Sequence, residues 1–408
     1  MNRTRRAGAS LLAIAAIALG GTACGDDDPA PPPRAGSSDF FGVNGVVLRA
    51  WSSQGYAELV DRHLAQVEAT GAGFVRATLG WQRIEPLPPV DGTRRYDFTD
   101  TDRWVAALAR HGLRWSVLGL GVPTPVWAAD QDAPASCEGQ RPPARPDDFA
   151  AVMGAIAHRY GSDGEFWQFR RDLPRRPILE YEVWNAPNNG GDWCPAPDPE
   201  AYADLYAATW QSVHEADADA RVTLGGLGAF DSEDPGSVGS ARMAPGEFLA
   251  RMLAHRPELH DQIDAVGIHV YAPDAAGVVA GVAAFRESVD AAGLAGVPLS
   301  WNEVGWPTAG EGGFAPTPEA ERAVLMREVT AAAAGIGCGI VSFAPHTWVT
   351  PELNPADPED WFGISDPETG EPYPSALAYR EAVAGVNPPL SDVTGDTSEP
   401  CDDGAAGG

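Results

Sequence analysis

The chain reads as an α/β protein built as a single (β/α)8 barrel, and three observations predict it. From about Phe40 onward, short apolar runs alternate eight times with stretches of helical periodicity. Two of those runs end in similar strings, Trp184-Asn185-Ala186-Pro187-Asn188 and Trp301-Asn302-Glu303-Val304-Gly305-Trp306. Each string sits where a buried strand gives way to a loop, the end of a parallel barrel at which chemistry is done. No Gly-x-Gly-x-x-Gly follows the first run, which weighs against an open doubly wound dinucleotide fold.

Taken in order, the apolar runs predict strands over 41–48, 74–79, 115–120, 178–183, 221–227, 265–271, 298–303 and 340–345. Between and after them, amphipathic periodicity predicts helices over 56–70, 101–111, 147–160, 199–216, 245–255, 277–292, 317–334 and 374–383. Asp100 with Asp102, and Pro199 with Glu200, mark helix starts, where acidic side chains and Pro are favoured. The longest loops, 127–145, 229–244 and 347–372, all fall after strands and so on the face that would be catalytic. Gly225-Gly226-Leu227-Gly228 at the end of the fifth strand reads as a tight turn, too weak a signal for a phosphate cradle.

Composition narrows the function classes. The chain has 408 residues, 57 acidic against 28 basic, for a formal net charge of -29. Such acidity argues against nucleic acid as a partner and against electrostatic docking on anionic lipid. Every basic residue is Arg, so Schiff-base lysine catalysis is excluded. No cysteine or histidine spacing suggests zinc, and no His-Glu-x-x-His string is present. No cofactor is implied.

The N-terminus reads as a targeting segment. Arg3, Arg5 and Arg6 precede an apolar run from Ser10 to Leu19, then small residues up to Ala23, then Cys24. This resembles a bacterial lipoprotein signal, with Cys24 as the lipidated first residue, although Gly21 stands where Leu is usual. An ordinary secretory peptide is the alternative. The apolar run is too short for a spanning helix. The expected organisation is a signal over 1–24, a flexible tether over 25–39, the barrel over 40–386 and an acidic tail without structure over 387–408. The mature protein is expected outside the cytoplasm, as a monomer touching the membrane only through its lipid. Its four remaining cysteines, Cys137, Cys194, Cys338 and Cys401, allow three pairings. Cys137 and Cys194 lie in loops after neighbouring strands, which suits a pair; Cys338 with Cys401 would then pin the tail.

The two Trp-Asn strings resemble the active-site segments of retaining glycoside hydrolases of the barrel clan that includes families five and thirty-nine. In that clan the fourth strand ends in Trp-Asn-Glu-Pro, whose Glu is the general acid/base, and the seventh ends in the Glu nucleophile. The resemblance runs from about Phe41 to Ala384 and implies Glu303 as nucleophile. At the acid/base position this sequence has Ala186, whose methyl group can neither protonate a leaving oxygen nor activate water. Loss of such help typically costs on the order of 10²–10⁴-fold in rate. Asp192, Glu182, Asp231, Glu233 and Asp234 are candidate substitutes, of which Glu182 is expected too deep in the barrel.

The resemblance further implies Asn185 as a contact to the sugar 2-hydroxyl and Arg76 as the second-strand Arg that holds the nucleophile region. It implies His269 and Tyr271 near the nucleophile, and Trp348 as the aromatic floor of the central subsite. Trp127, Trp193, Trp306 and Trp361 fall on loops of the same face, where sugar C–H groups can stack on indole. The expected ligand is an oligosaccharide or polysaccharide. The two function classes left open are a hydrolase of O-glycosyl bonds and a surface lipoprotein that binds sugar without turning it over, with an unrelated barrel enzyme as a weaker third.

Overall fold

A computed structural model describes residues 38–45, 54–78, 80–119, 124–137, 140–311, 313, 315–386 and 401. The expected signal and tether, and the tail apart from Cys401, lie outside the described residues. Eight parallel strands form a closed barrel in sequence order: β1 Ser38–Asn44, β2 Ala72–Thr78, β3 Arg114–Leu118, β4 Glu180–Val183, β5 Arg221–Gly228, β6 Ala265–His269, β7 Leu299–Glu303 and β8 Ile340–Phe343. Around them run α1 Gln54–Ala69, α2 Trp81–Ile84, α3 Thr99–Arg110, α4 Pro146–Tyr160, α5 Glu165–Phe169, α6 Pro199–Ala216, α7 Pro245–His255, α8 Ala275–Val289, α9 Glu319–Ala333 and α10 Pro374–Gly385. The fold is the single (β/α)8 barrel that the alternation predicts.

The strands are rich in buried apolar residues, as strands covered on both faces are, with polar side chains such as Arg76, Glu182 and Glu303 set among them. Val222, Leu224 and Leu227 of β5, and Val266 and Ile268 of β6, are fully buried. The helices are amphipathic and lay one face on the barrel. The α6 helix starts as its sequence predicts, with Pro199 in the first turn and the Asp198 carboxylate accepting from the Ala201 amide at 3.0 Å. The α10 helix closes the ring: its Tyr379 hydroxyl donates to the Gly42 carbonyl of β1 at 2.7 Å.

Two expectations need correction. The first strand begins three residues earlier than 41 and stops at Asn44, because Gly45 takes a left-handed φ of 64° that ends the extended run; the segment 46–48 lies outside the described residues. Gly225-Gly226-Leu227-Gly228 is not a turn but part of β5. Its glycines make room: a Cβ on Gly226 would stand 2.0 Å from His269 Nε2, and one on Gly225 2.6 Å from the Val183 carbonyl oxygen. Of the three possible cysteine pairings, the structure has Cys137–Cys194 and Cys338–Cys401.

Candidate active site

Register brings the polar residues at the C-terminal ends of the strands together. Parallel pairing sets Asn44 of β1 beside Arg76 of β2, and His269 of β6 beside Glu303 of β7. Arg76 then organises the mouth. Its guanidinium donates through Nε and Nη2 to the two oxygens of Glu182, at 2.5 and 2.8 Å. Through Nη1 it donates to Asn44 Oδ1 at 2.7 Å and to Glu303 Oε1 at 2.8 Å, and through Nη2 to Asn185 Oδ1 at 3.0 Å. A planar guanidinium with five donors suits this fork of acceptors, and a Lys would not.

Glu303 receives a second donor: the Tyr271 hydroxyl lies 2.9 Å from Oε2, and His269 Nδ1 is 3.4 Å from the same oxygen. The carboxylate keeps 13% of its side chain accessible, whereas Arg76 and Glu182 are 2% and 1% accessible. Glu303 is therefore the acid of this cluster that faces outward. Burial opposes its charge, but His269, His346 and the Arg76 guanidinium more than offset that and hold it well below the ordinary carboxylate range. Arg76 is the permanent contributor, since burial depresses His269 to about 3 despite the pull of Glu303 and leaves the ring neutral near pH 7. Glu182 goes the other way: burial raises it against the pull of Arg76, and the Gly226 amide supplies a further donor at 2.8 Å.

The segment after β4 is bent sharply. Trp184 and Ala186 both adopt positive φ, 68° and 39°. Left-handed non-glycine residues cost on the order of 1–3 kcal/mol each and persist where the surroundings fix them, often at functional sites. Here the bend turns Asn185 inward, so that its Oδ1 meets Arg76 while its Nδ2 donates to Asp192 Oδ1 at 3.2 Å. Ala186 is 6% exposed, and its carbonyl accepts from the Asn189 amide at 2.9 Å. Asn185 and Glu303 thus share one guanidinium, and Ala186 follows directly on Asn185.

Trp348 is placed differently from what the sequence implies. Its indole is 0% exposed, with Nε1 donating to His63 Nδ1 of α1 at 3.2 Å, so it presents no face to a sugar. The residue after β8 that meets the cleft is His346, which packs edge-on against Phe362 with centroids 5.1 Å apart and lies 3.5 Å from Glu359 Oε2. Burial alone would lower His346, but the charges of Glu303 and Glu359 outweigh it and raise it. Trp193 and Trp306 are buried too, with Trp306 Nε1 donating to the Ala272 carbonyl; Trp127 and Trp361 keep partial exposure.

The sequence reading missed His346 and Asn44. An Asn at the end of the first strand was the available signal for the second. Among the described residues, no group of three or more His, Cys, Asp or Glu side chains is arranged to hold a metal ion.

No protein-family model matches the chain, and no curated protein sequence matches it. Solved structures do. A GH39 β-xylosidase from Caulobacter crescentus superposes with a TM-score of 0.54 at 19% identity, over 87% of this chain and 72% of that one. A GH5 protein from Streptomyces cattleya, solved in complex with Manβ1-4GlcNAc, gives 0.58 at 16% identity, over 88% and 87%. A fungal β-1,4-galactanase gives 0.53 at 12% identity, over 85% and 99%. At such identities the likeness is one of fold: the chain shares the (β/α)8 barrel of these structures.

Proposed function

We propose that this protein acts on O-glycosyl bonds of an oligosaccharide or polysaccharide by the retaining route, with Glu303 as nucleophile. The observation that carries this reading is the state of Glu303: a partly accessible carboxylate at the barrel mouth, kept charged by Arg76 and oriented by the Tyr271 hydroxyl. A nucleophile needs that combination, because a protonated or fully enclosed carboxyl cannot attack an anomeric carbon. In a retaining mechanism the attack forms a glycosyl ester through an oxocarbenium-like transition state, and water then opens it with retention.

Asn185 supports the same reading. Its Oδ1 is fixed by Arg76, which directs the Nδ2 edge toward the cleft, where one of its two N–H groups serves Asp192. The other is left for a sugar hydroxyl that carries more negative character in the transition state. The neighbouring folds bear names of enzymes acting on β-xylosides and β-1,4-galactans. The substrate proposed here is correspondingly a β-linked sugar.

A second reading has one observation in its favour, the methyl group at position 186. On that reading the cleft binds sugar and does not turn it over. The two are separated by assaying dinitrophenyl β-xyloside, β-galactoside, β-mannoside and β-glucoside, whose leaving group departs without a proton. Hydrolysis of one of them by the wild type, abolished in Glu303→Gln, supports the enzyme; binding of the matching oligosaccharide with no hydrolysis of any supports the binding protein.

The same proposal places the protein outside the cytoplasm, monomeric and held to the membrane by lipid on Cys24. The charged, apolar and small segments that precede Cys24 support this, as does pairing of all four remaining cysteines, which suits an oxidising compartment. Cys24→Ser should move the protein from the membrane fraction to the soluble one, and a wild type already soluble would overturn the anchor.

A further inference from the structure

Resting on the hydrolytic reading above, the site still needs a proton donor, and the loop after β4 supplies a carboxyl. Six residues beyond Ala186, the chain folds back on itself. The Asp192 amide donates to the Asn189 carbonyl at 3.0 Å, and the Trp184 indole donates to the Asp192 carbonyl at 2.9 Å. The disulfide Cys137–Cys194 ties this turn to the loop after β3. The fold-back returns the Asp192 carboxylate to the mouth, where Asn189 Nδ2 donates to Oδ2 at 2.8 Å and Asn185 Nδ2 to Oδ1 at 3.2 Å. Asn185 is in turn bonded to Arg76, and Arg76 to Glu303. Two carboxyls therefore flank a single Arg76–Asn185 bridge.

We propose that Asp192 is the general acid and base of this cleft, doing from the β4 loop what the side chain at position 186 cannot.

The two carboxyls are held in opposite states, which is how acid and nucleophile are told apart in such pairs. Burial pushes Asp192 up; the Asn185 and Asn189 amides pull it down, and the negative charges of Glu303 and Glu359 push it up again, to about 7. The two amides touch it from the β4 loop, and the two charges act on it from β7 and the β8 loop. Glu303 lies far below that. The remaining candidates are worse placed. Glu182 is enclosed and taken by Arg76, Asp231 and Glu233 are exposed, and the exposed Asp234 accepts from the Gly236 amide of its own loop.

In the first step a Glu303 oxygen forms a bond to the anomeric carbon while the bond to the leaving oxygen breaks, and the Asp192 proton passes to that oxygen. In the second, ionised Asp192 takes a proton from water, whose oxygen bonds to the anomeric carbon as the Glu303 ester breaks. Glu303 ends as carboxylate and Asp192 as acid, so the cycle closes.

The test compares wild type, Asp192→Asn and the double variant Asp192→Asn with Ala186→Glu, as full chains, on phenyl and dinitrophenyl glycosides of the same sugar. Asp192→Asn should lower kcat/KM for the phenyl glycoside by about 10²-fold or more, leave the dinitrophenyl value within about 3-fold of wild type, and erase the basic limb of the phenyl profile near pH 7. Added azide should speed its turnover of the dinitrophenyl glycoside, because an anion needs no base to open the ester. Ala186→Glu in the same chain should recover phenyl hydrolysis, which a misfolded variant could not do.

Independently of activity, the infrared difference between wild type and Asp192→Asn should show a carboxyl titrating near pH 7, moved lower when Glu303→Gln removes the neighbouring charge. An unchanged phenyl rate and pH profile in Asp192→Asn would overturn the proposal, as would equal losses on both substrates. A wild type that hydrolyses neither substrate overturns the hydrolytic reading, and this proposal with it. Hydrolysis of the dinitrophenyl glycoside alone would overturn only the role of Asp192.

Discussion

Replacing Arg76 with Gln removes a fixed positive charge from the mouth. The guanidinium is 2% exposed and donates to two carboxylates, Glu182 and Glu303, and to the amide oxygens of Asn44 and Asn185. Breaking a buried ion pair by deleting one partner costs about 3–5 kcal/mol, because the other charge is left in a poorly solvating place. The pH dependence carries the diagnostic sign. In the wild type, Glu303 titrates below its ordinary value of 4.5, so it contributes stability that is present above that value and lost as the pH falls through its depressed one.

A buried carboxylate without its cation behaves in reverse. Its folded pKa rises above the unfolded one, and stability is lost as the pH climbs between the two. Glu182, which burial already raises even with Arg76 in place, should rise further. Arg76→Gln should therefore lose about 3–5 kcal/mol at neutral pH and distinctly less near pH 4, where both carboxyls take up protons. Urea unfolding at the two pH values measures this, and the acid limb of any turnover should move to higher pH. A loss that is equal at both, or under about 1 kcal/mol at neutral pH, would refute the placement of Arg76 between Glu182 and Glu303.

Three further outcomes are expected. Tyr271→Phe removes a hydroxyl donor to Glu303; a bond to a charged acceptor is worth about 1.5–3 kcal/mol, so kcat/KM on an activated glycoside should fall about 10-fold or more, with the fold intact by circular dichroism. Gly226→Ala drives a methyl to within 2.0 Å of His269 Nε2 and should destabilise by about 1–3 kcal/mol or more, read by thermal unfolding. Reduction of Cys338–Cys401, which closes 63 residues, should cost up to about 4 kcal/mol by chain entropy, seen as a lower urea midpoint in reductant.

The barrel was legible because its signal is repeated. Eight apolar runs separated by helical periods leave little choice of architecture, and the strand over 221–227 and the helix over 199–216 match nearly residue for residue. What escaped depends on partners distant in sequence. Nothing local distinguishes Gly225-Gly226 as a turn from Gly225-Gly226 as a gap for the His269 ring of the next strand. Trp348 and His346 are two residues apart, and only the path of the chain after β8 decides that the imidazole comes within reach of the Glu303 charge while the indole turns into α1. The short helix Glu165–Phe169 spans too few residues for its periodicity to be read. Asp192 was visible as a candidate, but the fold-back that delivers it to Asn185 is made of backbone and indole bonds that no motif announces.

The central claim, that Glu303 attacks sugar, is tested most directly by trapping the ester it would form. Dinitrophenyl glycosides fluorinated at the carbon next to the anomeric centre react through a slowed second step, so the glycosyl-enzyme accumulates. Incubation with the β-xylo, β-galacto, β-manno and β-gluco compounds, followed by intact mass and peptide mapping, should give a single added fluoroglycosyl group on Glu303 with at least one of them, absent in Glu303→Gln. An adduct on any other residue, or none with a compound whose parent sugar the protein binds, would contradict the account.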